Sequence, residues 1–202
     1  MKTIVLASGN RGKLRELSAL FSGLNVELSA QSEFDIAAIE ESGLSFIENA
    51  LLKARHAASV SGLPAIADDS GLVVDALRGQ PGLYSARFAG DKATDEENVS
   101  KLLSELEQFR GHHRRCRFVC TMVLLRHAED PMPLIAQGQW RGRVLETPQG
   151  SGGFGYDPVF QVVGRNESAA ELPPAIKNRI SHRAEAGRRL VQRIIDSDLL
   201  DA

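Results

Sequence analysis

The sequence has little of what marks secreted, membrane-bound or nucleic-acid-binding proteins. Of its 202 residues two are cysteine and one is tryptophan, and the formal net charge is −2 with a pI near 6.2. So small a charge argues against general binding to nucleic acid or to a membrane surface, although basic residues can still cluster around a small anionic ligand. No run approaches the roughly 18 apolar residues of a membrane span. We therefore predict no nucleic-acid partner and no membrane partner.

The two cysteines, Cys116 and Cys120, lie in one β-like apolar run. Four residues of strand separate their Cα atoms by roughly 13 Å, which is too far for a mutual disulfide. We predict core thiols in a reducing, cytoplasmic compartment. A zinc site that uses His112 and His113 is an alternative, but the chain lacks paired-ligand spacing for it.

The sequence contains no repeat, linker or low-complexity tract that would divide it. Its 43% hydrophobic and 25% charged residues are typical of globular proteins. The length is sufficient for a substantial core, and we predict a single domain spanning residues 1–202. The first apolar run, residues 3–7, is too short for a signal peptide and predicts a first strand.

Two adjacent carboxylates, Asp68 and Asp69, stand between two short apolar runs. The runs predict buried strands, and Ser70-Gly71 predicts a tight reversal between them. Two acids at the mouth of a hydrophobic hairpin are costly unless a cation such as Mg²⁺ or lysine compensates them. The alternative is that both are turn residues whose side chains bond their own backbone.

A polar, glycine-containing turn at residues 8–13 follows the first strand and leads into a helix, because apolar residues then recur at helical spacing. Such a turn presents backbone N–H groups and the positive end of a helix, and Lys13 adds a full charge. This predicts a phosphate site. The turn lacks the spacing and the final Ser/Thr of a Walker A loop, and the alternative is a strand-to-helix turn that binds nothing.

A second helix is predicted from Ser45, whose spacing to Glu48 is that of a capping box, to Gly62 and Pro64. Its apolar stripe predicts a buried face. The polar residues Asn49, Lys53 and His56 fall on another face that can reach a ligand. The alternative is that Lys53, like the acidic pair Glu40 and Glu41 before the helix, is only a solvated surface charge.

The middle of the chain predicts a loop followed by a helix. The loop at residues 79–90 contains apolar Leu83, Tyr84 and Phe88, which need a surface to pack against. A capping box at 94–97 then begins the next helix.

The basic connection at 110–115 is predicted to be a solvated surface loop. Strands are predicted over 116–125, 134–140 and 141–146, as an antiparallel part of the sheet, and over 159–163. Residues 171–178 predict a loop, and Ser181 can cap a final helix. The residues of that helix predicted to face the core are Ala184, Leu190, Val191, Ile194 and Ile195.

A glycine-dense loop at 150–158 carries Phe154 and Tyr156. Glycine permits close backbone approach and an aromatic ring offers a stacking face, so the loop suits a flat heterocycle such as a nucleobase. The alternative is a glycine loop whose aromatics belong to the core. Further on, His182 and Arg183 lie in the first turn of the last helix, where a cation is unfavourable unless an acceptor is near.

Five motifs occur in order along nearly the whole chain, from Thr3 to the last helix. They are Ser8-Gly9-Asn10 with Lys13; Glu40-Glu41-Ser42-Gly43 with Phe46-Ile47-Glu48-Asn49-Ala50 and Lys53-Ala54; Asp68-Asp69-Ser70-Gly71-Leu72; Gly153-Phe154-Gly155-Tyr156-Asp157-Pro158; and Ser181-His182-Arg183. In this combination the chain closely resembles the inosine triphosphate pyrophosphatase family, specifically its bacterial dITP/XTP pyrophosphatases. No functional position departs from the family's pattern.

The resemblance implies an α/β fold with a long mixed β-sheet flanked by helices, two lobes and a central active-site cleft, assembled as a homodimer. It also implies Mg²⁺-dependent hydrolysis of aberrant purine nucleoside triphosphates, namely ITP, dITP and XTP, to the monophosphate and pyrophosphate. The role that the resemblance implies is to cleanse the nucleotide pool and keep such nucleotides out of DNA and RNA.

By the same resemblance, Asp69 is the general base and a metal ligand, and an acid of the pair Glu40 and Glu41 is a further metal ligand. The implied contacts to the triphosphate and sugar are Ser8, Gly9, Asn10, Arg11, Gly12, Lys13, Lys53, Ser70 and Lys177. The implied base pocket comprises Phe154, Gly155, Tyr156, Asp157, His182 and Arg183.

The residues themselves suit this chemistry. Attack of water on the α-phosphate needs a neutralised triphosphate and a proton acceptor, roles that suit Mg²⁺ with lysines and Asp69. A donor at purine O6, from His182 or Arg183, favours hypoxanthine or xanthine over adenine. Two alternatives stay open: a pyrophosphatase for ordinary or methylated nucleotides, and a nucleotide-binding sensor without turnover.

Overall fold

A computed structural model describes residues 2–197 of the chain, without the side chain of Arg11. Within that range the chain forms six strands and five α-helices. The strands are β1 (Lys2–Leu6), β2 (Val26–Ala30), β3 (Ala65–Val74), β4 (Arg115–Leu125), β5 (Leu134–Val144) and β6 (Phe160–Val162). The helices are α1 (Arg11–Phe21), α2 (Phe46–Ser61), α3 (Asp95–Glu105), α4 (Pro174–Ile180) and α5 (His182–Asp196).

The strands of the described range form one six-stranded sheet in the order β2-β1-β3-β4-β5-β6. Strand β1 pairs in parallel with β2 and β3, so that Val5 lies opposite both Ser29 and Ala65. Strands β5 and β6 are antiparallel. This mixed sheet, flanked by helices, confirms the predicted α/β fold class.

The chain divides into two compact units. The first comprises residues up to 69, residues 120–138 and the chain from 183 on, and the second comprises residues 70–119 and 139–182. The first unit has two apolar clusters, one around Leu17 and Met122 and one around Ala57 and Val123. The second unit has its own core, with Leu72, Leu102, Phe118, Trp140 and Phe160 among its members.

Strand β3 corrects the predicted hairpin, because it runs without a turn through Ser70 and Gly71. An added Cβ on Gly71 would lie 2.2 Å from the carbonyl oxygen of Gly82 and 2.6 Å from Ser85 Oγ. Ser85 Oγ also accepts a hydrogen bond from the N–H of Leu72 at 2.9 Å. Gly71 therefore allows close approach of the 82–85 segment within the second unit and does not reverse the chain.

Strand β5 corrects a second boundary, since the two strands predicted over 134–140 and 141–146 are one. Buried and exposed residues alternate without interruption through Trp140 and Arg141. Neither Trp140 nor Arg141 is a turn residue that would end the strand, and regular alternation is what a continuous half-buried strand requires.

The basic connection at 110–115 is exposed, as its charge predicted, except at Arg114. Arg114 is buried, and its guanidinium donates hydrogen bonds to the carbonyl oxygens of Leu106, Phe109, Val144 and Leu145 at 2.7–3.3 Å. A buried guanidinium is tolerated when its donors are satisfied. Arg114 thus ties a loop to the end of β5.

Two further expectations near the C-terminus are wrong. Residues predicted as a loop at 171–178 include α4, which begins with Pro174 at the first helical position, where proline's missing N–H costs nothing. Ile195, predicted to face the core, is 53% exposed, whereas Ala184, Leu190 and Ile194 are buried as expected.

The prediction that Cys116 and Cys120 are core thiols is confirmed. Cys116 and Cys120 are buried and unpaired by disulfide, and burial raises the pKa of each thiol. Of the loop residues predicted to need a packing surface, Phe88 is buried, but Tyr84 is exposed. Over residues 2–197, none of the helices has both the length and the apolar character needed to cross a membrane.

Candidate functional site

The turn that leads from β1 into α1 is held by its own side chains. Asn10 is the N-cap of α1, and its Oδ1 accepts hydrogen bonds from the N–H groups of Gly12 at 2.8 Å and Lys13 at 3.3 Å. Ser8 Oγ accepts from the N–H of Asn10 at 3.2 Å. The sequence predicted free N–H groups here, but the cap satisfies two of them. The positive helix end and the ammonium of Lys13 are therefore the features that attract an anion.

A cavity of about 210 Å³ lies beside this turn in the first unit. Predicted phosphate contacts that are far apart in the chain line this cavity together. The lining includes Ser8, Gly9, Lys13, Glu41, Lys53 and Asp68.

Helix α2 contacts both oxygens of the Asp69 carboxylate. Lys53 Nζ lies 3.3 Å from Asp69 Oδ1 and 2.6 Å from Glu41 Oε1. One turn earlier on α2, Asn49 Nδ2 donates to Asp69 Oδ2 at 3.3 Å, and Asn49 Oδ1 accepts from the N–H of Gly43 at 2.8 Å. The two helix side chains therefore connect Asp69 to the acidic loop before the helix.

The environment of Asp69 favours a proton acceptor. Burial raises the pKa of Asp69, Lys53 opposes that rise, and the negative charge of Glu41 adds to it. Burial alone would lower the pKa of Lys53, but the carboxylates of Asp69 and Glu41 outweigh burial and raise it. A carboxylate with a raised pKa is closer to the operating pH than an ordinary aspartate, as a general base requires.

Asp68 is fully buried and has a different set of partners. Its Oδ1 accepts from Lys13 Nζ at 2.9 Å, and its Oδ2 lies 3.5 Å from Arg183 Nε. The Cys120 thiol donates weakly to the same Oδ2 at 3.9 Å, and Arg183 also lies 3.5 Å from Glu16 Oε2. Burial alone would raise the pKa of Asp68, but Lys13 and Arg183 hold it well below its ordinary value.

The expectation that cations compensate the acidic pair is confirmed, with Lys13 and Arg183 at Asp68 and Lys53 at Asp69. The alternative that both acids are turn residues is wrong, because both lie within β3.

The glycine-dense loop belongs to the second unit and is organised by Asp157. The buried Asp157 carboxylate accepts from the N–H of Phe154 at 2.9 Å and forms an ion pair with Lys177. Lys177 Nζ also lies 4.7 Å from the centre of the Phe154 ring, which is 53% exposed. An exposed ring beside a fixed cation can stack on a flat heterocycle.

Two other predicted base contacts in the second unit, Tyr156 and His182, are buried, whereas Gly155 is partly exposed. The hydroxyl of Tyr156 donates to the carbonyl oxygen of Ser85 at 2.8 Å, so this ring is a core aromatic. The His182 ring stacks on Phe118 with centroids 4.9 Å apart. The N–H of Gly155 donates to Asp95 at 2.6 Å.

Two other predicted site residues differ in exposure. Glu40 is exposed, whereas its neighbour Glu41 contacts Lys53. Ser70 is half-buried in β3. The side chain of Arg11 lies outside the described part of the chain.

Comparison with known proteins identifies the family. A family model described as the Ham1 family matches residues 4–193. The chain belongs to the Ham1 family. This confirms the resemblance predicted from the five motifs.

Individual relatives of this Ham1 family chain match it almost end to end. A protein of Vibrio parahaemolyticus named dITP/XTP pyrophosphatase is 54% identical over 190 residues, covering 94% of this chain and 95% of the relative. A solved structure of a HAM1 protein from Coxiella burnetii, 46% identical, superposes with a TM-score of 0.93 over 97% of this chain and 100% of that one. A Mycobacterium abscessus structure described as a nucleoside-triphosphatase / dITP/XTP pyrophosphatase is 40% identical, with a TM-score of 0.76 over 91% and 95% of the two chains.

The donor set of this Ham1 family chain fits a hard divalent cation. Glu41 and Asp69 share the single ammonium of Lys53, so the three groups carry a formal charge of −1. Mg²⁺ prefers oxygen donors and is commonly held by one or two carboxylates together with substrate phosphates and water. No group of three or more His, Cys, Asp or Glu side chains that could hold a metal occurs among residues 2–197. The residues therefore suit an ion that is held jointly with a triphosphate.

Sequence reasoning assigned no role to three residues that shape these networks. The helical spacing predicts that Asn49 lies on the polar face of α2, but it gives no indication of the contact with Asp69. Glu16 contacts Arg183 and lies one turn after Lys13 on α1, a spacing that places Glu16 and Lys13 on the same helix face. The capping-box spacing indicates only that Asp95 lies at the start of a helix, because its contact with Gly155 spans 60 residues of chain.

Proposed function

We propose that this chain hydrolyses aberrant purine nucleoside triphosphates, namely ITP, dITP and XTP, to the nucleoside monophosphate and pyrophosphate with Mg²⁺. The observation that carries the proposal is the buried Asp69 carboxylate, which has a raised pKa and contacts Lys53 and Asn49. The names of close relatives give the substrate class. The role is to remove these nucleotides before they enter DNA or RNA.

In the proposed reaction a water molecule attacks the α-phosphorus and loses its proton to Asp69. The bond from the α-phosphorus to the α,β-bridging oxygen breaks, and pyrophosphate leaves with the electron pair. Lys13 and Lys53 attract the triphosphate and offset its negative charge, as does the positive end of α1. The burial of Asp69 keeps its carboxylate less well solvated and so a stronger base.

The residues proposed to hold Mg²⁺ are Asp69 and an acid of the pair Glu40 and Glu41, of which Glu41 is nearer to the network around Lys53. When bound, the ion would neutralise triphosphate charge and polarise a phosphoryl oxygen.

We also propose the substrate contacts that the family resemblance implies. The triphosphate and sugar contacts are Ser8, Gly9, Asn10, Arg11, Gly12, Lys13, Lys53, Ser70 and Lys177. The base contacts are Phe154, Gly155, Tyr156, Asp157, His182 and Arg183. Of the aromatic residues among them, Phe154 is the exposed stacking face and Tyr156 supports the loop from within the core.

Product analysis with ITP tests the proposed reaction. We expect pyrophosphate and IMP in equal amounts, Mg²⁺ dependence, and, in ¹⁸O-labelled water, label in IMP. Orthophosphate with IDP would contradict the proposal. Binding of ITP without turnover would favour the nucleotide sensor, and equal rates with ITP, XTP, GTP and ATP would favour a pyrophosphatase of ordinary nucleotides.

Replacing the residue that donates to purine O6 should reduce the preference for ITP over ATP. His182→Ala or Arg183→Ala removes a favourable contact with hypoxanthine and relieves a donor–donor mismatch with adenine. A hydrogen bond to a charged donor contributes about 1.5–3 kcal/mol, so kcat/KM for ITP relative to ATP should fall by roughly ten- to a hundred-fold for the responsible residue. Because this is a ratio within one variant, it does not depend on the folded fraction.

Phe154→Ala is the matched control, because a stacking face serves every purine and its loss should lower kcat/KM for ITP and ATP together. If both donor variants leave the ratio unchanged, neither His182 nor Arg183 is the O6 donor.

We propose that the chain acts as one catalytic domain over residues 1–202 and as a homodimer in the cytoplasm. Tyr84 is 58% exposed with Arg87 over its ring, as expected of an interface residue. Two unpaired thiols suit a reducing compartment. Sedimentation at micromolar concentration would contradict the homodimer if it found only the mass of one chain.

A further inference from the structure

We infer that Asn49 is a positioning residue for the reaction, and that it holds the Asp69 carboxylate by tying it to the backbone of Gly43. The inference rests on the proposed function, in which Asp69 is the general base. Neither the family resemblance nor the names of relatives assigns Asn49 a role.

The side-chain amide of Asn49 is buried, and both its donor and its acceptor form hydrogen bonds. Its exposed fraction is 1%, its Nδ2 donates to Asp69 Oδ2, and its Oδ1 accepts from the N–H of Gly43. A buried amide whose donor and acceptor both have partners is fixed in orientation. Since the helix fixes the backbone of Asn49, the amide fixes the direction of the Asp69 carboxylate.

The backbone of Gly43 fits against this amide only without a side chain. An added Cβ would lie 2.7 Å from Asn49 Oδ1 and 2.6 Å from Glu48 Cβ. Gly43 is not among the glycines with positive φ, so close approach rather than conformation accounts for glycine here. The loop and the carboxylate are thus joined through one side chain.

Lys53 forms a parallel link, because its ammonium joins Asp69 Oδ1 to Glu41. The Lys53 link attracts the carboxylate by charge, whereas the Asn49 link is directional and neutral. Loss of Asn49 should therefore leave Asp69 charged and paired but free to rotate. Misalignment of a general base by about 1 Å can lower the reaction rate on the order of 10²-fold.

The test is a double-mutant cycle with ITP. We expect Asn49→Ala to lower kcat by about 10- to 100-fold with little change in KM, and to lower kcat by no more than about twofold when introduced into Asp69→Asn. This non-additivity is expected only if Asn49 acts through Asp69. Gly43→Ala, which disturbs the same link from the other side, should reproduce the fall in kcat.

Asn98→Ala is the matched structural control. Asn98 is a buried asparagine on α3 that also joins a helix to a loop, donating to the carbonyl oxygen of Ala86 and accepting from the N–H of Ala89. We expect a similar loss of thermal stability from both asparagine variants but an unchanged kcat for Asn98→Ala.

Each outcome decides the role of Asn49. The positioning role would be overturned if kcat fell equally in both asparagine variants, or if the effects of Asn49→Ala and Asp69→Asn were additive. In either case, turnover by the wild-type protein would still support the proposed function. Absence of pyrophosphate release by the wild-type protein would instead overturn the proposed function, and the role of Asn49 with it.

Discussion

Asp69→Asn should retain the fold and lose most of its activity. The substitution is nearly isosteric, but the amide cannot accept the proton of the attacking water. Removal of a general base typically lowers the rate by about 10²–10⁴-fold. Steady-state kcat with ITP at saturating Mg²⁺ measures the effect, with circular dichroism as the check on folding.

The two neighbours of Asp69 make this variant interpretable. Lys53 would lose a carboxylate partner but keep Glu41, and Asn49 would keep Gly43, so the surrounding network stays in place. An Asp69→Asn enzyme that retained most of its kcat would contradict the assignment of the general base.

Of the variants proposed here, Asp68→Asn should lower the free energy of unfolding most. Asp68 is buried, and the charges of Lys13 and Arg183 both lie against it. Removing one member of a buried ion pair typically costs about 3–5 kcal/mol in the free energy of unfolding, because the remaining charge stays buried without that partner. Urea unfolding of the variant against the wild type measures the difference.

An exposed ion pair supplies the control for Asp68. Asp75 and Arg117 lie 2.7 Å apart in the second unit, but both side chains are substantially solvated. Exposed pairs contribute about 1 kcal/mol or less, so Asp75→Asn should change the free energy of unfolding only slightly. Equal losses in the two variants would mean that burial is not the reason for the effect at Asp68.

The buried carboxylate of Asp68 should also make the free energy of unfolding depend on pH in the acid range. The folded-state pKa of Asp68 lies below its ordinary value of 3.8, chiefly because Lys13 and Arg183 outweigh burial. Its contribution is therefore complete above about pH 4 and is lost as the pH falls toward the lower folded-state pKa. Over that acid range the free energy of unfolding of the wild type should fall more steeply than that of Asp68→Asn.

Features that depend on a few neighbouring residues were predictable from the sequence. The cap and end of α2 follow from Ser45, Glu48 and Gly62, since a cap bonds within one turn and an end needs one residue with positive φ. The motifs also identified the family. They marked Asp68 and Asp69 as carboxylates that need a cation, because burying a charge without a partner is costly.

Which cation serves which carboxylate was decided by the tertiary structure. Lys13 pairs with Asp68 across 55 positions of sequence, and Lys53 pairs with Asp69 across 16. Two adjacent residues of a strand point to opposite faces of the sheet, so adjacent acids meet different segments. No local pattern encodes which segments those are.

The tertiary structure also decided the meaning of residues that local rules assign to turns and surfaces. Gly71 looked like a turn residue and is instead a point of close approach to Gly82, and Arg114 looked solvated and is buried against four carbonyl groups. Local propensity is worth about 1 kcal/mol per residue, and packing or burial of several partners outweighs it. The sequence by itself thus determined the family and the residue types of the site, while long-range packing selected their partners.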